Sequence, residues 1–377
     1  MNKVAFLYSE ELALFDYGDD HPFKPIRSRN MMELAIRYGV LYGIGVKKLE
    51  PKPCEPEMLE LFHEKEYLEI LKKTSNGEFE LSMLKRGIGT DDCPMVPNIY
   101  PYCLNVVGAT LGGVNLVLDG DFQRAFNPIG GFHHGYRRHA EGFCYVNDVG
   151  VAIEYLLKRG KRVAFIDVDA HHCNGVEDAF KDTDQVLNIS LHETGDTLYP
   201  KTGYESDYGE GKGEGFSINV PLLEKTDDEV YWEAFTRIVP PAVKAFEPDF
   251  VIAEVGADTM ISDPLTHLRL TTHCYYDVMK EITAISPKLL FLGGGGYDIF
   301  KTARCWTLAL SALSEIEPED DYAGLVGGMM YGADMDSLFD RKILTTGEDK
   351  ENAVAHMEHV VNYIEKRIFP IIGAKAE

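Results

Sequence analysis

Three stretches of this chain, at 163–168, 250–255 and 289–292, are apolar at nearly every position instead of at every second one. A strand of that kind buries both faces, which suits a mainly parallel sheet covered by helices on each side. Each run also passes into residues that carry chemistry. The first continues through Asp167, Asp169, His171 and His172, the second into Gly256-Ala257-Asp258, and the third into Gly293 to Gly296 and then Tyr297. Open α/β sheets place their ligands at the carboxyl ends of strands. Further strands are expected at 3–8, 186–191 and 216–220. Between them lie helical stripes: Val149, Ala152, Ile153, Leu156 and Leu157, and then Tyr231, Ala234, Phe235 and Ile238 behind a capping box at Thr226 to Glu229. A last stripe, Val354, Met357, Val361, Ile364 and Ile368, runs up to Pro370.

The strand tails constrain function. Asp167 and Asp169 project to one side of an extended strand, and His171 joins them if the chain stays extended. Two carboxylates held together unpaired cost roughly several kcal/mol unless a proton or cation compensates. A divalent metal is the simplest reading; a strand ending in a polar loop is the plain one. His133 and His134 are adjacent in a glycine-flanked loop. Imidazoles titrate near neutrality and suit proton transfer, although two surface histidines would look the same. Asp258 alone reads equally as a ligand or as a turn former. Glycines 293–296 permit conformations that other residues resist, so a flexible loop there could carry the Tyr297 phenol into a site. Phosphate cradling is the rival, but neither Gly-Lys-Ser/Thr nor Gly-x-Gly-x-x-Gly before a helix supports it.

Composition narrows the partners. The 377 residues are 45% hydrophobic and 26% charged, with no shift that marks a linker, so one domain over 1–377 is expected. A net charge of −24 argues against a nucleic-acid partner. It favours encounter with cationic substrates such as lysine-rich peptides, though solubility explains it equally. The seven cysteines are dispersed and form no Cys-x-x-Cys, which fits a reducing compartment and a cytoplasmic location. The first residues read as a strand and not as a signal peptide. No apolar run is expected to reach the roughly 18 residues of a membrane span, so no membrane partner is expected. Long aperiodic loops at about 16–30, 86–101, 127–146 and 192–215 are candidates for the walls of a site.

Five segments together resemble the histone deacetylase family, including its bacterial acetoin-utilisation branch. They are Gly-Gly-Phe-His-His (130–134), Gly-Phe-Cys-Tyr-Val-Asn-Asp (142–148), Ile-Asp-Val-Asp-Ala-His-His (166–172), Gly-Ala-Asp (256–258) and Gly-Gly-Gly-Gly-Tyr (293–297). They occur in the family's order and spacing, and weaker similarity runs from His21-Pro22 to about Trp306. The resemblance implies an eight-stranded α/β fold of the arginase/deacetylase kind. It implies a zinc-dependent amidohydrolase that removes acetyl or short acyl groups from lysine in proteins or peptides. The implied Zn²⁺ ligands are Asp169, His171 and Asp258, a donor set that Fe²⁺ also fits. Tyr297 would donate to the oxyanion. His133 would pair with Asp167, and His134 with Asn174, where many relatives have Asp. His134 would then act as the base, and His133 would sit nearer its charged form.

The same resemblance assigns Gly142, Phe143 and Tyr199 to a narrow tube for the lysine stem, with Tyr199 replacing the usual Phe. It puts Asp92 at the mouth and Arg27 near an acetate exit. Asp167, Asp169, His171, Ser190 and Leu191 match an inner potassium (or sodium) site, and Phe180, Thr183 and Val186 part of an outer one. Glu254 stands where many relatives have Gln, with no consequence legible in the sequence. An arginase-like two-metal site is disfavoured, because Cys173 and Met260 occupy the second metal's positions. Deacetylation of acetylpolyamines or another small acetylated amine is the alternative. Leu265, where polyamine-specific relatives carry an acid, favours acyl-lysine. A non-catalytic binding protein would be expected to have lost part of this set, and none is lost.

Overall fold

The computed structural model describes residues 3–286, 288–318 and 337–376. Among the described residues, eight parallel strands form one sheet: β1 (Val4–Leu7), β2 (Val46–Leu49), β3 (Arg124–Asn127), β4 (Val163–Asp167), β5 (Val186–Glu193), β6 (Ser217–Leu222), β7 (Phe250–Glu254) and β8 (Leu289–Leu292). Their order is β2-β1-β3-β8-β7-β4-β5-β6. Successive side chains leave a strand on opposite faces, and β4 shows the result. Ala164 and Ile166 join the apolar core on one face of the sheet, and Val163 and Phe165 the core on the other. Burying each large apolar side chain is worth roughly 1.5–3 kcal/mol, so a continuous apolar strand is held from both sides.

β2 and β3 have no counterpart among the expected strands. Each has only four residues, and half of them are polar: Lys47 and Lys48 in β2, Arg124 and Asn127 in β3. β2 is at one edge of the sheet, where its lysines stay exposed. β3 is buried, and its polar ends find distant partners. Arg124 donates to the Leu313 carbonyl at 2.8 Å, and Asn127 to Thr110 at 2.9 Å.

Three further expectations are corrected. The helix Asp228–Phe246 is capped by Asp227, whose carboxylate accepts from Val230 N, and not by Thr226. Asp227 is completely buried, and Lys350 Nζ also donates to it at 2.6 Å. In the helix Glu348–Arg367 the inward stripe uses Ala353, Met357, Val360, Val361 and Ile364, and Val354 faces outward. Finally, one 20-residue helix, Ile99–Leu118, is long and apolar enough to cross a membrane. Its hydrophobicity has another cause: Val106, Val107, Leu111 and Val114 are buried within the core on one face of the sheet.

The register positions the site. Asp167 at the end of β4 lies opposite Ser190 of β5 and Glu254 of β7, and Glu254 lies opposite Leu292 of β8. Four adjacent strands, β3, β8, β7 and β4, therefore release their chains at one edge. Those chains carry His133 and His134, Tyr297, Asp258, and Asp169 with His171.

Candidate active site

Asp169, His171 and Asp258 converge although they come from two different strands. His171 Nδ1 lies 3.0 Å from Asp169 Oδ1 and 2.9 Å from Asp258 Oδ2. All three are buried. Main-chain donors aim the carboxylates: Gly295 N reaches Asp169 Oδ2 at 2.5 Å, and Ala170 N reaches Asp258 Oδ1 at 2.8 Å. Against burial, which lowers it, the two carboxylates raise the His171 pKa to about 10. The same two carboxylates would favour a divalent cation there. Two oxygens and one ring nitrogen within 4.8 Å of one another are the donor set of an open catalytic metal position.

The glycine loop is built for close approach rather than for looseness. A Cβ at Gly295 would lie 2.1 Å from Asp258 Oδ2 and 2.7 Å from Asp169 Oδ2. Arg27 braces the loop from behind. Its guanidinium donates to the Gly296 and Gly294 carbonyls at 2.6 and 2.5 Å and lies against the rings of Phe23 and Trp306. Asp263 accepts from Tyr297 N at 2.7 Å. Burial first, then the charges of Asp258 and Asp169, raise the Tyr297 phenol well above its ordinary pKa, so it stays a donor.

The two histidines stand Nε2 to Nε2 at 3.1 Å. His133 Nδ1 is 3.3 Å from Asp167 Oδ2 and, closer still, 3.0 Å from Glu254 Oε1. Burial lowers the His133 pKa, but Glu254 and Asp167 together hold it well above the ordinary value. His134 Nδ1 is 2.7 Å from Asn174 Oδ1. Burial and the charges on His133 and His171 hold the His134 pKa well below the ordinary value. Asp148, to which sequence reasoning assigned no role, holds this loop. Its carboxylate accepts from Gly131 N and Phe132 N at 3.1 and 2.8 Å, and from the Thr110 hydroxyl at 2.6 Å. Asn147 donates to the His133 and Gly135 carbonyls while capping the helix Asp148–Leu157.

A cavity of about 260 Å³ reaches His171 and His134, lined also by Phe143, Tyr199, Leu265, Tyr297 and Asp92. The rings of Phe143 and Tyr297 meet edge to face at 5.9 Å. Gly142 has no room for a side chain: a Cβ there would lie 2.3 Å from the His134 ring. Below lies a small inner cavity of about 20 Å³, reached by His133, Glu254, Gly294 and Phe23. Beside the site, Ser190 Oγ donates to Asp167 Oδ2 at 3.3 Å, and Leu191 is buried next to it in β5. Phe180 ends the helix Asn174–Phe180, and its carbonyl accepts from Thr183 N on the way to Val186. Sequence reasoning assigned no role to Glu141, Asp148 or Asp263, and none to Glu254. Each works through a contact distant in sequence, and a lone acid carries no local signal of that.

Fold and site together define an α/β protein with a candidate metal centre at the carboxyl edge of a parallel sheet. A family model described as "Histone deacetylase domain" matches residues 21–313. The chain belongs to the histone deacetylase family. It is 36% identical over 320 residues to probable histone deacetylase 19 of Zea mays, covering 84% of this chain and 62% of that protein. It is 32% identical over 370 residues to histone deacetylase clr6 of Schizosaccharomyces pombe, covering 96% and 88%. The chain thus spans less than two thirds of the plant relative's length. Among solved structures, an HDAC homologue complexed with SAHA superposes with a TM-score of 0.84 at 28% identity, covering 95% of this chain and 100% of that one. An HDAC homologue from Aquifex aeolicus gives 0.83 at 28% identity, covering 97% and 100%.

Proposed function

We propose that this chain is a metal-dependent deacetylase that releases acetate, or another short acid, from the ε-amide of acyl-lysine in proteins or peptides. The observation that carries the reading is the meeting of Asp169, His171 and Asp258, with His171 lining a largely apolar cavity. They would hold Zn²⁺, and Fe²⁺ suits the same donors. When bound, such an ion supplies a Lewis acid for the amide carbonyl and lowers the pKa of water.

The protein's own groups do the rest. His134, neutral and buried, takes the proton of the attacking water and returns it to the departing amine. His133, held charged by Glu254 and Asp167, keeps a positive field beside it. The Tyr297 hydroxyl donates to the oxygen on which negative charge collects, a contact worth roughly 3–4 kcal/mol in other enzymes. Phe143 and Tyr199 flank the aliphatic stem, and Asp92 accepts hydrogen bonds from the substrate backbone at the mouth. Arg27, behind the glycine loop, stands beside the path by which acetate leaves. Potassium or sodium beside Asp167, Asp169, His171, Ser190 and Leu191, and by Phe180, Thr183 and Val186, has a structural part.

Leu265, partly exposed at the mouth, favours acyl-lysine over an acetylpolyamine, since an apolar side chain does not recognise a distant ammonium. Rates of acetate release from acetyl-lysine peptides and acetylpolyamines test the reading. Peptides are expected to be the better substrates; turnover of acetylpolyamines alone would overturn the choice.

A further inference from the structure

Glu141 lies just before Gly142, outside the groups that handle substrate. Its Oε1 accepts from the Tyr199 hydroxyl at 2.8 Å and from Asn174 Nδ2 at 3.0 Å, and its Oε2 faces His139 Nε2 at 3.0 Å. The other end of the same Asn174 amide, Oδ1, lies 2.7 Å from His134 Nδ1. A carboxylate only accepts hydrogen bonds, whereas an amide has one accepting end and one donating end. Glu141 therefore takes the donating end and turns the accepting end toward His134.

We propose that Glu141 is a positioning residue of the reaction: by fixing the direction of the Asn174 amide it fixes the tautomer of His134. A carbonyl oxygen at Nδ1 requires the hydrogen on Nδ1 and keeps the accepting lone pair on Nε2, the end that His133 Nε2 also faces at 3.1 Å. With the amide reversed, its NH₂ would donate to Nδ1, the hydrogen would move to Nε2, and the base would be lost. The reversed carbonyl would also face the Glu141 carboxylate, acceptor against acceptor. Tyr136 cannot choose between the two directions. Its hydroxyl, 3.2 Å from Asn174 Nδ2, both donates and accepts. Burial raises the Glu141 pKa, but bonds from His139, Tyr199 and Asn174 hold it below the ordinary carboxylate value, so the acceptor persists at neutral pH. The inference rests on His134 acting as the base, and one half of its test does not.

The test compares Glu141→Ala, Glu141→Met, Asn174→Asp and the double variant Glu141→Ala with Asn174→Asp in the full, metal-loaded chain. The near-isosteric Met guards against a folding defect in the Ala variant. Imidazole ¹⁵N spectra read the His134 tautomer, and acetyl-lysine peptide turnover reads kcat and KM. The wild type should show the Nδ1–H form alone. Glu141→Ala and Glu141→Met should show a mixture, and kcat should fall about tenfold or more while KM moves less. An aspartate at position 174 accepts through either oxygen and needs no lock, so Glu141→Ala should cost little in the Asn174→Asp background. Tyr199→Phe removes the other bond to Glu141 and should leave the tautomer unmoved. An unmixed Nδ1–H form in both Glu141 variants would overturn the inference, as would an equal loss from Glu141→Ala in the two backgrounds. Absence of turnover in the wild type would instead count against the proposed function, and the spectra would still decide this point.

Discussion

His133 and His134 meet Nε2 to Nε2 at 3.1 Å, yet they stand in opposite fields. Two carboxylates face the far side of one ring, and a neutral amide faces the far side of the other. A base works only in its unprotonated form, so the rate falls as pH drops through the pKa of His134. That pKa lies well below the ordinary 6.5, and kcat/KM should therefore stay level past 6.5 on the acid side. A carboxylate at position 174 favours the charged ring. Asn174→Asp should move the acidic limb of the pH–rate profile to higher pH, and an unmoved limb would contradict the assignment of His134.

Tyr297 is expected to act in the transition state and little before it. Tyr297→Phe keeps the ring that packs on Phe143 and removes only the hydroxyl. Loss of one such donor costs roughly 10²–10³ in kcat elsewhere, and steady-state kinetics should show a fall of that order with KM nearly unchanged. A large rise in KM at constant kcat would make Tyr297 a wall and not a donor.

Leu265 sits at the mouth with Asp92 and Tyr199. Leu265→Glu puts an acid where a polyamine's distant ammonium would arrive. One charged contact is worth about 1.5–3 kcal/mol, so the ratio of kcat/KM for acetylpolyamine over acetyl-lysine peptide should rise about tenfold or more. An unchanged ratio would show that the mouth does not select the substrate.

Lys350 neutralises the buried carboxylate of Asp227 and ties the helix Glu348–Arg367 to the cap of Asp228–Phe246. Lys350→Met strands that charge. Thr345 N and Val230 N still donate to it, which limits the loss. Urea unfolding should report a destabilisation of about 1–3 kcal/mol. No change in the midpoint would show that the pair is exposed in effect.

Much of the site was legible because its main residues sit at the tails of strands that advertise themselves. The runs before Asp167, Asp258 and Gly293 are apolar on both faces but for Glu254, and their length suits a buried strand. β2 and β3 sent no such signal, since Lys47, Lys48, Arg124 and Asn127 suit an edge or depend on tertiary partners. The residues that aim the site were hidden for a related reason. Asp263 reaches Tyr297 across 34 positions, and Glu141 reaches Asn174 across 33. Before folding, each looks like any solvated acid. The Ile99–Leu118 helix is apolar enough for a membrane span although no such run was expected, because a helix buried in a core can be as apolar as one in a bilayer.

The most direct test is to count metal and acetate together. Purified chain should carry one equivalent of divalent metal and release acetate from an acetyl-lysine peptide. Chelation should abolish both, Zn²⁺ or Fe²⁺ should restore both, and Asp258→Ala should lack both. Acetate release that persists in metal-free protein, or full activity in Asp258→Ala, would contradict a reaction centred on Asp169, His171 and Asp258.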